Sequence, residues 1–382
     1  MKNVTDFELC CGCGMCVEVC KHNAISMKVN EQGFFYPFVE KDMCVECGRC
    51  IKTCAFHATI QDNHDYQLKN ALAIKHIDEE VRANSRSGGI FTALSDWIFS
   101  QGGVVYGCEL VNNRVALHKR ATTKKERDKF RGSKYIQSII FECFELVKRD
   151  LSCDRWVLFS GTPCQVSAIK KYCSNINTDK LLLVDIVCHG VPSPMVWSDY
   201  LDYVSGNKKI VSVNFRDKKQ FGWAEHKETV VFDNGEVYSS NVFAELFFSH
   251  LITRKDCSCC PFKNLSRAGD ITIADCWGIA ESYSQFDDNK GVSLVLINNE
   301  KGNSVFDKIE DISVIEVDIN KVLQPSLKTN WTIPVEYNRF WNYYKKHSFK
   351  SVINKYVYKI PPFWTRLLRR TKRDLRKICI RH

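Results

Sequence analysis

The sequence predicts an α+β protein made of a small cysteine-rich N-terminal domain, a larger α/β body and a basic C-terminal helix. Three observations carry this prediction. Nine of the 20 cysteines lie in the first 54 residues, apolar runs alternate with helical periodicity from about residue 71, and the positive charge is concentrated near the C-terminus. With 382 residues, the chain can form two or three domains with their own cores.

The composition narrows the class of protein. At 45% hydrophobic and 26% charged residues, wholesale disorder is excluded. No apolar run approaches the roughly 20 residues that span a bilayer, and residues 1–6 lack the apolar stretch of a signal peptide. We therefore expect a cytoplasmic protein in a reducing compartment, whose cysteines are metal ligands or redox groups rather than disulfides.

Two runs of four cysteines with the spacing C-x2-C-x2-C-x3-C repeat at an offset of 34 residues. The first run contains Cys10, Cys13, Cys16 and Cys20, and the second contains Cys44, Cys47, Cys50 and Cys54. Three such thiolates can hold one face of an iron–sulfur cube, and in two-cluster ferredoxins the fourth reaches the other cube. The spacing thus predicts two 4Fe-4S clusters, with Cys54 joining the first three cysteines of the first run and Cys20 joining those of the second. Cys11 is an extra cysteine, which we interpret as a bystander.

Residues 5–62 resemble bacterial dicluster 4Fe-4S ferredoxin domains. Two short strands, Ile25–Val29 and Phe34–Val39, are predicted between the cysteine runs. The segment departs from that family where Lys21 and Ala55 replace the usual proline. Two structural zinc sites are the alternative, because paired CxxC units also suit zinc. We place this domain at residues 1–62, with a polar linker at residues 61–65.

From about residue 71 the pattern becomes α/β. Strands are predicted at Val104–Tyr106, Trp156–Phe159, Leu181–Val187, Ile210–Phe215, Thr229–Phe232 and Val292–Ile297, and helices at Gly89–Phe99 and Ser138–Lys148. No G-x-G-x-x-G follows a strand, which argues against a Rossmann nicotinamide site. Gly88 and Gly89 open a predicted helix whose free amides suit a phosphate or pyrophosphate. An ordinary turn is the alternative.

Five motifs occur in order at Ser87–Leu94, Phe130–Tyr135, Phe159–Gln165, Asp185–Ser193 and Gly269–Gly278. Together they resemble the family of coenzyme F420 hydrogenase/dehydrogenase beta subunits over about residues 72–320. The resemblance implies a non-Rossmann, FAD-binding body with family domains at 63–155 and 156–325. It implies flavin-binding roles for Ser87, Gly88, Gly89, Thr92, Arg131, Ser133, Lys134 and Tyr135. A solvated basic face is the alternative for Arg131 and Lys134.

Four more cysteines stand in these motifs or in a CxxC pair: Cys164, Cys188, Cys257 and Cys260. We expect them to hold a third 4Fe-4S cluster, as ligands at similar motifs do in family members with an additional cluster. Ordinary buried thiols are the alternative. For the substrate, a polar donor and an anion clamp are needed, and the candidates are Lys218, Arg216 and His189. Each could also be surface charge or a satisfied histidine.

The tail, residues 326–382, is aromatic and then basic. Ten Lys or Arg and one acid after residue 354 give this end a net charge of +9. Apolar and basic residues alternate at helical spacing after Pro361 and Pro362, which predicts an amphipathic helix at the inner membrane surface. A disordered tail and a partner-docking helix are the alternatives.

These features predict an iron–sulfur flavoprotein oxidoreductase. Electrons would pass from ferredoxin-type clusters through FAD to, or from, an unidentified organic substrate. The expected partners are an electron donor such as ferredoxin or a redox subunit and a small organic substrate, with no nucleic acid. Use of coenzyme F420 is left open. The rival functions are an electron relay without its own substrate site and a zinc scaffold.

Overall fold

The computed structural model describes residues 3–7, 9–57 and 70–359. The predicted linker at residues 61–65 and the predicted amphipathic helix after Pro361 lie outside these ranges. None of the helices within them is long and apolar enough to cross a membrane.

The N-terminal domain repeats one unit twice, as the cysteine spacing predicts. Helix α1 (Met15–Glu18) and helix α2 (Arg49–Lys52) each begin after a glycine in the left-handed region, Gly14 at φ 81° and Gly48 at φ 67°. Strands β1 (Ile25–Val29) and β2 (Phe35–Val39) pair antiparallel between them. The predicted hairpin is therefore confirmed to within one residue.

The body is built on one eight-stranded sheet with the order β13-β3-β12-β11-β7-β6-β4-β5. Its strands are β3 (Asn70–His76), β4 (Val104–Val111), β5 (Val115–Ala121), β6 (Val157–Gly161), β7 (Leu181–Ile186), β11 (Ile271–Asp275), β12 (Ser293–Ile297) and β13 (Ile312–Glu316). The central pairs β4–β6, β6–β7 and β7–β11 are parallel. Strands from both sides of the predicted boundary at residue 155 share this sheet.

The remaining helices of the described ranges are α3 (Glu79–Asn84), α4 (Ile90–Ser100), α5 (Lys124–Asp128), α6 (Cys143–Ser152), α7 (Pro163–Tyr172), α8 (Pro194–Ser205), α9 (Lys218–Phe221), α10 (Val242–Phe248), α11 (Ile279–Ser282), α12 (Glu300–Phe306), α13 (Ile319–Val322), α14 (Tyr337–Tyr344) and α15 (Phe349–Tyr356). The prediction of a helix from Ser138 was wrong for residues 138–142. There Ile139 forms a parallel bridge with Leu117, so its backbone extends β5 instead of starting the helix.

A second core lies beside a three-stranded sheet of β8 (Ile210–Asn214), β9 (Glu228–Phe232) and β10 (Val237–Ser240). Trp197 of α8 packs there on Phe215 and Phe243. Helices α14 and α15 join the same core through Phe340, Trp341 and Val352, all of them buried. Residues 337–356 thus belong to the folded body, although the sequence suggested only an aromatic tail.

Candidate metal centres and ligand cavity

The carboxyl ends of the parallel strands meet at one edge of the large sheet. Gly161 ends β6, Ile186 ends β7 and Asp275 ends β11. The motif residues that follow these strands therefore converge, as at the ligand-binding edge of other open α/β sheets. A cavity of about 410 Å³ opens there. It is lined by residues of four predicted motifs, together with Phe247, Phe248 and Gln324.

The glycine turn is tied to the sheet before it opens helix α4. Ser87 donates its hydroxyl to the carbonyl of Val292, and the Gly88 amide donates to Ser293 Oγ over 2.9 Å. A Cβ at Gly88 would lie 2.1 Å from the Ile74 carbonyl, so no larger residue fits. Gly89, at φ 96°, then starts the helix, whose first amides have no partner within it. Gly89, Ile90 and Phe91 line the cavity.

The predicted basic segment lines the same cavity, but its two cations already have partners. Arg131 bonds Thr92 Oγ1 over 3.1 Å and pairs with Asp128 over 2.9 Å. The Lys134 ammonium donates to the carbonyls of Lys129, Phe130 and Arg131, each over 3.0 Å. Burial lowers the pKa of Lys134 to about 8. Lys134 therefore closes the turn that carries this segment.

Arg216 and Lys218, two predicted catalytic residues, are engaged in different ways. The buried Arg216 guanidinium pairs with Asp275 over 2.8 Å and lines the cavity. The Lys218 ammonium donates to the carbonyls of Ser87 and Lys290, each over 2.8 Å, and does not line the described part of the cavity. Burial, then Arg82 and Arg216, lower the pKa of Lys218 to about 7. Lys218 thus fixes the glycine turn.

His189, the third predicted catalytic residue, faces the aromatic end of the cavity. Its Nδ1 lies 3.1 Å from Ser326 Oγ, and its ring meets Phe247 edge-on. Burial, then the neighbouring His250, lower the pKa of His189 to about 4, so the ring is neutral at pH 7. Trp277 lines the same end and stacks on Trp223 with ring centroids 4.6 Å apart.

The first cysteine run is gathered with Cys54 of the second. Burial raises the pKa of Cys16, and the neighbouring thiols of Cys10, Cys54 and Cys50 raise it further. In the second run, Cys44 likewise raises the pKa of Cys50, whose main cause is burial. Cys47 is exposed, and Cys20 packs on the same small core as Cys16 and Cys50. The structure thus brings Cys54 to the run that the ferredoxin pattern assigned to it.

Cys164, Cys188, Cys257 and Cys260 meet in a second cavity of about 40 Å³. Cys164 lies in the first turn of α7, Cys188 follows β7, and Cys257 lies in the 3-10 helix Lys255–Cys259. Burial raises the pKa of Cys188 to about 11 and that of Cys260 to about 12, with Cys164 adding to both shifts. Among the described residues, no three His, Cys, Asp or Glu side chains could share a single metal ion. The four predicted cysteines nevertheless converge from three separate segments.

Cys11 also lines this second cavity and hydrogen-bonds with Cys13 and Cys164. It therefore lies between the first cysteine run and the third set, and our interpretation of Cys11 as a bystander missed this position. The spacing offered no signal for it, because the contact depends on how the N-terminal domain packs on the body.

The N-terminal domain packs on the body through its first cysteine run. A Cβ at Gly14 would lie 2.3 Å from the ring of Phe141, and one at Gly12 would meet the Gln137 side chain at the same distance. At Gly48, the repeat equivalent of Gly14, a Cβ would meet nothing within 4 Å. The two halves of the repeat therefore differ, since one is buried against the body and the other faces outward.

Comparison with known proteins agrees with this organisation. Residues 154–321 match the family model for the C terminus of the coenzyme F420 hydrogenase/dehydrogenase beta subunit, and residues 9–58 match that of the 4Fe-4S dicluster domain. The chain belongs to the family of F420 hydrogenase/dehydrogenase beta subunits. Its N-terminal part is a 4Fe-4S dicluster domain, so the predicted family and domain are confirmed.

One curated relative in this family is the F-type subunit of the F(420)H(2) dehydrogenase of Methanosarcina mazei. It is 22% identical over 346 residues, which cover 86% of this chain and 89% of the relative. A chain in the xenon-derivatised F420-reducing [NiFe] hydrogenase complex from Methanosarcina barkeri is 18% identical, with a TM-score of 0.48. That match covers 77% of this chain and 94% of the other.

Proposed function

We propose that the chain is an iron–sulfur flavoprotein oxidoreductase, which transfers electrons between 4Fe-4S clusters and an organic substrate by way of FAD. The observation that carries this proposal is the wall shared by the two cavities. It consists of Ser138, Thr162, Gln165, Cys188, Gly190 and Val191. Four convergent thiols therefore lie directly beside a cavity large enough for part of a cofactor and its substrate.

The cysteines fit iron–sulfur clusters by their chemistry. Thiolate is the ligand of such clusters, and crowded buried thiols resist ionisation until a metal supplies the opposing charge. The raised pKa values of Cys188 and Cys260 are consistent with such crowding. We assign the third cluster to Cys164, Cys188, Cys257 and Cys260. The two ferredoxin clusters keep the ligands expected from the spacing.

The larger cavity fits FAD at its glycine turn. Ser87, Gly88, Gly89 and Thr92 hold the amino end of α4 at the cavity, where helix amides suit a phosphate. Arg131, Ser133, Lys134 and Tyr135 form a neighbouring wall of the same cavity. When bound, a flavin couples one-electron transfer to two-electron chemistry at an organic substrate.

The substrate would bind at the aromatic end. His189, His226 and Trp277 line that end, and neutral His189 can hold or accept a proton at Nε2, because its Nδ1 faces Ser326. Arg216 lies with Cζ 5.3 Å from the ring centroid of Trp277, which positions that ring. The name of the Methanosarcina mazei relative contains F420, so oxidised F420 is the first acceptor to test.

The test is an anaerobic assay of the purified full chain with reduced ferredoxin and F420. We expect bound FAD, bleaching of its absorbance by the reduced ferredoxin, and loss of bleaching in Cys188→Ala. Cys153→Ala, which changes an exposed cysteine outside all three sets, should behave like the wild type. Clusters without FAD would contradict the proposal.

An electron-relay subunit is the second candidate. The observation that favours it is the outward-facing half of the repeat, where Cys47 is exposed and Met43 and Val45 are 47% and 59% exposed. A redox partner could contact the chain there. Turnover of a small acceptor by the isolated chain would rule out a pure relay.

A further inference from the structure

We infer that Arg86 binds a phosphate group of the flavin cofactor, an assignment that rests on the function proposed above. Four Lys or Arg side chains line the larger cavity: Arg86, Arg131, Lys134 and Arg216. An anion can be bound only by a cation whose charge and N–H donors are not already used. The present partners of these four side chains therefore decide between them.

Three of the four are occupied. Lys134 has three N–H donors, and all three point to main-chain carbonyls. Arg131 pairs with Asp128 over 2.9 Å. Arg216 forms a two-point contact with Asp275, at 2.8 and 3.2 Å. These side chains shape the wall, but their charge is already balanced or their donors are used.

Arg86 differs from them in every respect. Its two Nη atoms donate to the carbonyls of Arg216 and Ser133, and its Nε–H is buried without any hydrogen-bond partner. Among the carboxylates of the described residues, none lies within ion-pair distance of it. A guanidinium has five N–H donors, so most of them remain for a ligand. The guanidinium keeps its charge even though burial lowers the pKa of Arg86.

The surroundings of Arg86 also suit a phosphate. It directly precedes Ser87 and the turn that opens α4, an eleven-residue helix, so helix amides and guanidinium border one cavity. On the other side stands Gly132, at φ 77°, where a Cβ would lie 3.6 Å from Arg86 Nη2. Planar guanidinium donors and helix amides together match the oxygens of a phosphate. Neutral side chains opposite would not compete for the charge.

The test compares flavins that differ only in phosphate. Flavin-fluorescence quenching of the full chain, freed of flavin under anaerobic conditions, gives the Kd of FAD and of riboflavin for each variant. In Arg86→Gln, we expect the FAD affinity to fall about ten- to a hundredfold, with the riboflavin affinity within about threefold of wild type. Arg86→Lys should recover part of the loss. Lys134→Gln, the matched control, should leave the ratio of the two affinities nearly unchanged.

Two outcomes would overturn the inference: an unchanged FAD affinity in Arg86→Gln, or an equal loss for both flavins, which would indicate collapse of the cavity. A wild-type chain that binds neither flavin would contradict the proposed function itself. Circular dichroism and iron content of each variant confirm that it is folded.

Discussion

The guanidinium of Arg254 donates from Nε to the main-chain carbonyl of Cys10 over 2.8 Å, joining the body to the first cysteine run. Its Nη1 reaches the carbonyl of Phe35 over 3.0 Å, and Asp256 balances its charge over 3.2 Å. Arg254 is buried, and its Cζ lies 3.9 Å from the ring centroid of Tyr36. One side chain thus holds both the ligand loop and the hairpin of the N-terminal domain.

Replacing Arg254 by Met should weaken this junction. The variant leaves Asp256 buried without its cation and two carbonyls without donors, so we expect the free energy of unfolding to fall by about 3 kcal/mol. Denaturant unfolding measures the loss, and hydrogen exchange should increase at residues 10–14. The exposed Arg149, changed to Met, is the control and should shift stability by less than about 0.5 kcal/mol. Equal stability of the two variants would contradict this role.

The two halves of the repeat provide a matched pair of glycines. In Gly14→Ala and Gly48→Ala, each methyl group carries the same cost of about 1–2 kcal/mol for a left-handed backbone. Only the Gly14 methyl also meets the Phe141 ring, which should add about 1–3 kcal/mol. Denaturant unfolding of both variants measures the difference. If the two variants were equally stable, the first run would not be packed on the body.

The third cysteine set predicts a defined metal loss. Cys257→Ala should lower the iron content from about twelve to about eight atoms per chain, since three clusters become two. Iron analysis and low-temperature electron paramagnetic resonance measure the change. Cys276→Ala removes a buried thiol outside the three sets and should keep about twelve. A Cys257 variant with full iron would show that these thiols are not ligands.

His118 predicts a loss of stability in acid. Burial lowers the pKa of His118 to about 4, and its Nδ1 is buried without a partner while Nε2 faces the Ser160 carbonyl. Because the folded-state pKa lies below the unfolded one, the unfolded chain binds the proton first. Stability should fall by about 3 kcal/mol as the pH drops from about 6.5 to about 4.

The variant His118→Gln should lose that part of the pH dependence, as followed by denaturant unfolding between pH 4 and 7. His22→Gln, at an exposed histidine, should keep it. An identical pH profile in His118→Gln and the wild type would rule out a neutral, buried His118.

The features that the sequence predicted are local ones. The cysteine spacing and the glycine that precedes each short helix set α1 and α2 directly, and the alternation of apolar residues located β6 and β7 to within one or two residues. A ligand set drawn from separate segments, such as Cys164 with Cys257, could be predicted only from the family resemblance, because spacing along the chain carries no information about it.

What the sequence could not show is which partners are already taken. Lys134 and Arg86 look equivalent as basic residues beside a glycine turn, yet one uses its donors on carbonyls and the other keeps most of them free. Helices α14 and α15 were missed for a related reason. Their aromatic residues form a core only with α8 and α10, which lie far away in the chain.

The most direct test of this account is anaerobic purification of the full chain, with iron, sulfide and flavin measured per polypeptide. We predict about twelve iron atoms, a matching amount of sulfide and about one FAD. A colourless protein that contains neither iron nor flavin would contradict the central claim that thiol sets and cavity form one redox path.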